Sequence, residues 1–168
     1  MLSRIIFLDI DGVLNTVMVD TQPISQYSHL REDGFYYDLA SPNQKRVSNR
    51  QAVMWLNLLC KQTKAKIVIS STWRLSLSLD EMKEALVNSG LLPEIEVIGA
   101  TPNLGYLPER TRGLEIQRYL DEHYGDELPQ FIILDDDSDM DNLLPHLIQC
   151  NVYRGFGMPE YLKAISYF

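Results

Sequence analysis

Short apolar runs that stop abruptly on acidic or hydroxyl residues constrain this chain most. Residues 3–8 form one such run, ending at Asp9, and residues 66–70 (KIVIS) form a second, ending on serine. Residues 131–134 (FIIL) form another, ending at Asp135. Runs this short and this apolar read as buried strands. Residues 94–98 (EIEVI) and 149–153 are weaker candidates, which makes five in all.

Helical patterns lie between them. Residues 49–63 put Val53, Leu56, Leu59 and Cys60 on one face. Ser78 and Glu81 have the spacing of a capping box, opening a helix that should run to Ser89 and stop at Gly90. Residues 111–124 carry Leu114, Tyr119 and Leu120 at apolar positions, and shorter helices are expected at 140–147 and 159–166. Strands alternating with helices imply an α/β fold: a three-layer, Rossmann-like arrangement around a mostly parallel five-stranded sheet. In such sheets ligands bind outside the carboxyl ends of the strands. Asp9, Ser70 and Asp135 fall there. Residues 16–48 lack a long period and are expected to be an inserted loop or small cap element near the site, within a single domain covering 1–168.

The length of 168 residues suits one domain with one core, burying about 70% of the surface of the unfolded chain. A net charge of -8 argues against a broad electrostatic track for nucleic acid, although a local basic groove is compatible with it. There is no apolar stretch long enough for a bilayer, and the apolar start is too short for a signal-peptide core. Cys60 and Cys150 fit reduced core thiols. A cytoplasmic protein without a membrane partner is therefore expected.

Four constellations carry chemistry. In Asp9-Ile10-Asp11-Gly12 two carboxylates follow a buried strand, which a divalent cation would explain and which Gly12 lets turn sharply. In Asp135-Asp136-Asp137-Ser138-Asp139, Asp137 or Asp139 is expected to cap the next helix, which leaves Asp135 and Asp136 at the strand end. Hard oxygen ligands of this kind suit Mg²⁺. Ser70-Ser71-Thr72-Trp73-Arg74 offers hydroxyl and amide donors to a phosphate, and a helix-capping turn is an equal reading. Arg110 and Arg112 open a helix, where a cation opposes the helix dipole unless an anion faces it.

Taken together, FLDIDGVLN, the serine after the second strand, the basic residue before the next acidic strand and the ILDDD stretch resemble the haloacid dehalogenase (HAD) superfamily of phosphatases. With SSTWR, Thr101-Pro102 and Arg112-Gly113-Leu114-Glu115-Ile116, the chain looks like the branch named for "Swiss army knife" RNA repair proteins. The resemblance implies a HAD-like phosphatase with a minimal cap and Mg²⁺ as cofactor. Asp9 is then the nucleophile and Asp11 the general acid/base. Mg²⁺ would be held by the Asp9 side chain, the Asp11 main-chain carbonyl and Asp135, with Asp136 beside it. Ser70, helped by the Ser71 amide, and Arg112 would hold the phosphoryl oxygens; Ser71 and Arg110 are the alternatives. Gly12, Asn15, Ser71, Trp73 and Arg74 are expected to face the substrate, with Trp73 and Arg74 stacking a terminal base. The expected partner is a phosphorylated substrate: a nucleic-acid end with a 3′-phosphate, with a small-molecule or nucleotide phosphate as the alternative.

Two other classes compete. A receiver domain also gathers acids and Mg²⁺ at strand ends, but its acidic pair, not an Asp-x-Asp-Gly, follows strand one. Here Val152-Tyr153-Arg154 also stands where its lysine would be. A catalytically silent phosphate-binding module would be expected to lack one of the catalytic positions, and all are filled.

Overall fold

The computed structural model describes residues 3–17, 36–37, 45–105 and 111–168. Five parallel strands form the central sheet: β1 (Arg4–Leu8), β5 (Lys66–Ile69), β6 (Val97–Ala100), β7 (Gln130–Asp135) and β8 (Leu147–Gln149), in the order β6-β5-β1-β7-β8. Strand β1 lies in the middle, paired with β5 on one side and β7 on the other. That position explains its apolar run from Ile5 to Leu8, because a central parallel strand is covered on both faces.

Alternation along β1 sends Ile6 and Leu8 into one core and Ile5 and Phe7 into another. Helices α1 (Arg50–Thr63), α2 (Leu79–Asn88) and α4 (Met158–Tyr167) cover the first face, through residues such as Leu56, Met82 and Ala164. Helix α3 (Arg112–His123) covers the second with Ile116, Tyr119 and Leu120. The result is a three-layer, Rossmann-like α/β fold. A separate antiparallel sheet, ordered β2-β4-β3, joins β2 (Asn15–Val17), β4 (Lys45–Ser48) and β3 (Tyr36–Tyr37). The rest of the 16–48 segment lies outside the described residues.

The helix starts follow local hydrogen-bonding rules. Asn49 Oδ1 accepts from the Gln51 and Ala52 amides at 3.1 and 3.2 Å, opening α1. Ser78 and Glu81 form the complete capping box of α2, and Gly90 follows the helix with φ 108°. Among the described residues no helix is long and apolar enough to cross a membrane. Cys60 and Cys150 are buried free thiols, and burial pushes Cys60 up to about 12.

Two strands depart from the sequence reading. The third runs over Val97–Ala100, later than the expected 94–98. Its Gly99 hides it from a propensity argument, yet a Cβ there would lie 2.8 Å from the Tyr119 hydroxyl. The fifth is Leu147–Gln149, earlier than the expected 149–153, and the helix expected at 140–147 is a 3₁₀ segment, Asp141–His146, containing Pro145. Proline removes a helix donor, so the chain leaves the helix early enough for Leu147 to enter the sheet.

Candidate active site

The sheet itself delivers the acidic residues. The Asp9 amide donates to the Leu134 carbonyl and the Ser70 amide to the Leu8 carbonyl, both at 2.9 Å, so the ladder continues one residue past β1 and β5. Asp9, Ser70 and Asp135 thus stand side by side, all buried. Beyond Asp9 the chain turns tightly: the Ile10 carbonyl accepts from the amides of Leu14 (2.8 Å) and Asn15 (2.9 Å). Gly12 takes φ 87°, and a Cβ there would overlap the Asp136 carboxylate.

This turn separates the two carboxylates of the Asp-x-Asp motif. Asp9, Asp135 and Asp136 each place an oxygen within 4.8 Å of the others. Asp11 leaves that cluster: its Oδ1 accepts from Asn15 Nδ2 at 3.1 Å and its Oδ2 from Trp73 Nε1 at 3.0 Å.

Arg112 answers part of the clustered charge. Its Nη1 lies 3.7 Å from Asp9 Oδ1 and its Nε 3.7 Å from Asp135 Oδ2. The position depends on the loop after β7. Asp139 Oδ2 accepts from the Arg112 amide at 3.0 Å, the Asp139 carbonyl accepts from Gly113 at 3.0 Å, and Thr111 donates to Asp141. A Cβ at Gly113 would overlap the Met140 carbonyl, so glycine lets helix and loop meet. Asp139 therefore serves the start of α3, not the helix that follows it in sequence, which has no side-chain cap. Asp137 instead bonds the neighbouring Ser138 amide.

One guanidinium does not balance three carboxylates. Burial raises Asp9 to about 6, with Asp136 and Asp11 adding to the rise while Arg112 and a Ser71 hydrogen bond oppose it. Burial and the neighbouring Asp9 push Asp135 to about 8 against the pull of Arg112. Although burial works against its charge, Arg112 is held protonated by Asp9, Asp135, Glu115 and Asp139. Asp135 Oδ1 accepts from the Asp137 amide at 2.9 Å, but Oδ2 is buried without a hydrogen bond. A buried carboxylate oxygen without a hydrogen bond, beside two further carboxylates, suits a hard divalent cation. The site can hold such a cation beside a phosphoryl group.

The segment after β5 makes the other wall. Ser71 caps a short 3₁₀ turn, Thr72–Leu75, and its hydroxyl reaches Asp9. Ser70 Oγ is fully buried and has no hydrogen bond. Of the two serines left open by the sequence, Ser71 is the one whose side chain hydrogen-bonds Asp9. Of the two arginines, Arg112 enters the cluster, and Arg110 lies outside the described residues.

Four expected substrate contacts are engaged elsewhere. The Gly12 amide donates to the Asn15 carbonyl at 2.6 Å, so the glycine shapes the turn. Asn15 is buried, with its amide on Asp11. Trp73 packs on the main core and spends its N–H on Asp11, which ties down the ring expected to stack a base. Arg74 is turned inward: Nη1 donates to the Ser70 and Ser71 carbonyls at 3.0 and 2.6 Å, and Nη2 pairs with Glu115. A guanidinium so placed orders the loop and does not stack on a base. Glu115 carries no functional expectation from the sequence. Its signal was a carboxylate beside Ile116 on the apolar face of a helix, where an unpaired acid would be costly.

No curated protein matches the chain at a significant level. The family model described as the HAD domain in Swiss Army Knife RNA repair proteins matches residues 5–161. With the parallel sheet that presents Asp9 and Asp135 side by side, that match makes this chain a member of the HAD domain family of Swiss Army Knife RNA repair proteins.

Proposed function

We propose that this HAD-type domain is a Mg²⁺-dependent phosphomonoesterase working through an aspartyl-phosphate on Asp9. The observation that carries this reading is the division of labour within Asp-x-Asp: Asp9 joins the Asp135–Asp136 cluster, while Asp11 is held apart by Asn15 and Trp73. Phosphoryl transfer needs a nucleophile, charge neutralisation and a proton for the leaving oxygen. Asp9 attacks phosphorus, the bond from phosphorus to the leaving oxygen breaks, and Asp11 gives that oxygen its proton. Water then attacks the aspartyl-phosphate, Asp11 takes the water's proton, and inorganic phosphate departs with Asp9 restored. Ser71 and Arg112 hold the phosphoryl oxygens. Asp9, Asp135 and Asp136, with the Asp11 main-chain carbonyl as a further candidate, would hold Mg²⁺, which would supply charge neutralisation when bound.

The substrate proposed is a polynucleotide end, as a terminal 3′-phosphate. The family's domain occurs in RNA repair proteins. Among the described residues between β5 and β7, the chain is spent mainly on α2, β6 and α3, which supports a site without a large insert over it from this stretch. The net charge of -8 fits contact with only the last few nucleotides and a shallow salt dependence. The test compares kcat/KM on a 3′-phosphorylated oligonucleotide, its 5′-phosphorylated isomer and a mononucleotide. A mononucleotide preferred over both oligonucleotides replaces the end-repair reading with a small-molecule phosphatase.

A further inference from the structure

We infer that Trp73 and Asn15 are positioning residues that hold the Asp11 carboxylate by both of its oxygens, and that proton delivery to the leaving group depends on this hold. The inference rests on the reading of Asp11 as general acid/base given above and names what makes that residue competent.

An aspartate three residues beyond a strand has free rotation about two side-chain bonds, and a proton donor is effective only at hydrogen-bond distance from its target. Here Asn15 Nδ2 holds Oδ1 at 3.1 Å and Trp73 Nε1 holds Oδ2 at 3.0 Å. A carboxylate has about four acceptor positions, so these two bonds fix its orientation and leave capacity for the leaving oxygen or water.

Both donors are themselves immobilised. Asn15 is 3% exposed, and its main chain is tied to the turn by the Ile10 carbonyl and the Gly12 amide. Trp73 sits in the 3₁₀ turn that Ser71 caps and Arg74 anchors. One short segment therefore carries a phosphoryl ligand, Ser71, and a donor that aims the acid, Trp73. A shift of that segment would disturb both functions together.

A purely structural role is the rival explanation, since Trp73 also packs against the core. Leaving-group dependence separates the two. Protonation matters most for alkyl phosphates, whose leaving oxygen is strongly basic, and least for p-nitrophenyl phosphate. Loss of core packing lowers kcat/KM on both alike.

The experiment measures kcat/KM for p-nitrophenyl, phenyl and alkyl phosphates with wild type, Asp11→Asn, Trp73→Phe and the Trp73→Phe/Asp11→Asn pair. A benzothienyl analogue at position 73, isosteric but with sulfur in place of N–H, provides the same test without a packing change. Trp73→Phe and the analogue should each lose roughly 10–100-fold more on the alkyl phosphate than on p-nitrophenyl phosphate, the size expected for a hydrogen bond to a charged group. In the double variant Trp73→Phe should add no further leaving-group sensitivity to that of Asp11→Asn. Uniform loss across the series in the position-73 variants, or sensitivity that adds to that of Asp11→Asn, overturns the positioning role alone. If Asp11→Asn itself loses equally on every substrate, the general-acid reading fails and takes the inference with it.

Discussion

The Arg74 guanidinium and the Glu115 carboxylate form an ion pair almost wholly shut from water, with side-chain exposures of 4% and 2%. It joins the loop carrying Ser71 to the helix carrying Arg112, one turn before Glu115. Breaking a buried pair by removing one partner costs about 3–5 kcal/mol. Arg74→Met should therefore lower the unfolding free energy by about that much, seen in urea denaturation as a lower midpoint at an unchanged slope. Arg74→Met/Glu115→Leu should recover a large part of the loss, because an apolar pair of similar volume needs no desolvation. If the double variant is as unstable as the single one, the pair is worth more than its burial cost.

Asp9→Asn should abolish turnover of p-nitrophenyl phosphate, with a loss of about 10⁴-fold or more, as when a nucleophile is removed. The fold should survive, since Asn is isosteric and removes a charge that burial opposes. A variant with more than about one per cent of wild-type activity, measured with trace deamidation excluded, would show that another residue is the nucleophile.

Activity should require Mg²⁺ and be lost in EDTA, and stability should carry the same signature. Asp9 and Asp135 titrate above the ordinary carboxylate value in the folded protein, near 6 and 8, whereas an unfolded Asp titrates at about 3.9. The native state then holds more protons than the unfolded state over that window. Metal-free protein should lose stability as pH rises from about 4 to 8. Mg²⁺ should therefore raise Tm more at pH 8 than at pH 5, and Asp135→Asn should flatten the metal-free dependence. Asp135→Ala should impair Mg²⁺-dependent activity more than Asp137→Ala, whose side chain bonds only its neighbour's amide among the contacts described. Equal Tm increments at both pH values would count against the cluster as the cation site.

Gly12→Ala should raise the Mg²⁺ concentration for half-maximal activity by roughly 10–100-fold, as when the support of a metal ligand is disturbed. The residue has φ 87°, and its missing Cβ is the space taken by Asp136. An unchanged Mg²⁺ requirement would mean that Asp136 plays no part in binding the cation.

The strand ends were legible because burial and chemistry change within one residue: Leu8 to Asp9, Leu134 to Asp135. The capping box of α2 was legible because its two members lie three residues apart. The roles of Trp73, Arg74 and Asn15 were not. The Trp73–Asp11 bond spans 62 residues and Arg74–Glu115 spans 41, so each depends on how the sheet brings loops together. An aromatic beside an arginine reads in sequence as a stacking surface, whereas the fold turns the arginine inward. The end of strand β6 was misplaced because close packing against Tyr119 selected Gly99, a residue that local preference assigns to turns.

The central place of β1 sets the order of events at the ribosome. This strand ends at Leu8, yet one of its partners, β7, begins only at Gln130, more than a hundred residues later in synthesis. At about 5–20 residues per second the nascent β1 waits several seconds or more for that partner. Throughout that interval an apolar strand has an open edge, the kind of edge that pairs with the wrong chain. Nascent or truncated products ending before β7 should therefore recruit chaperones strongly, and they would carry Asp9 without Asp135. The position that gives the nucleophile its two neighbours also makes the N-terminal half of the chain its most aggregation-exposed part during synthesis.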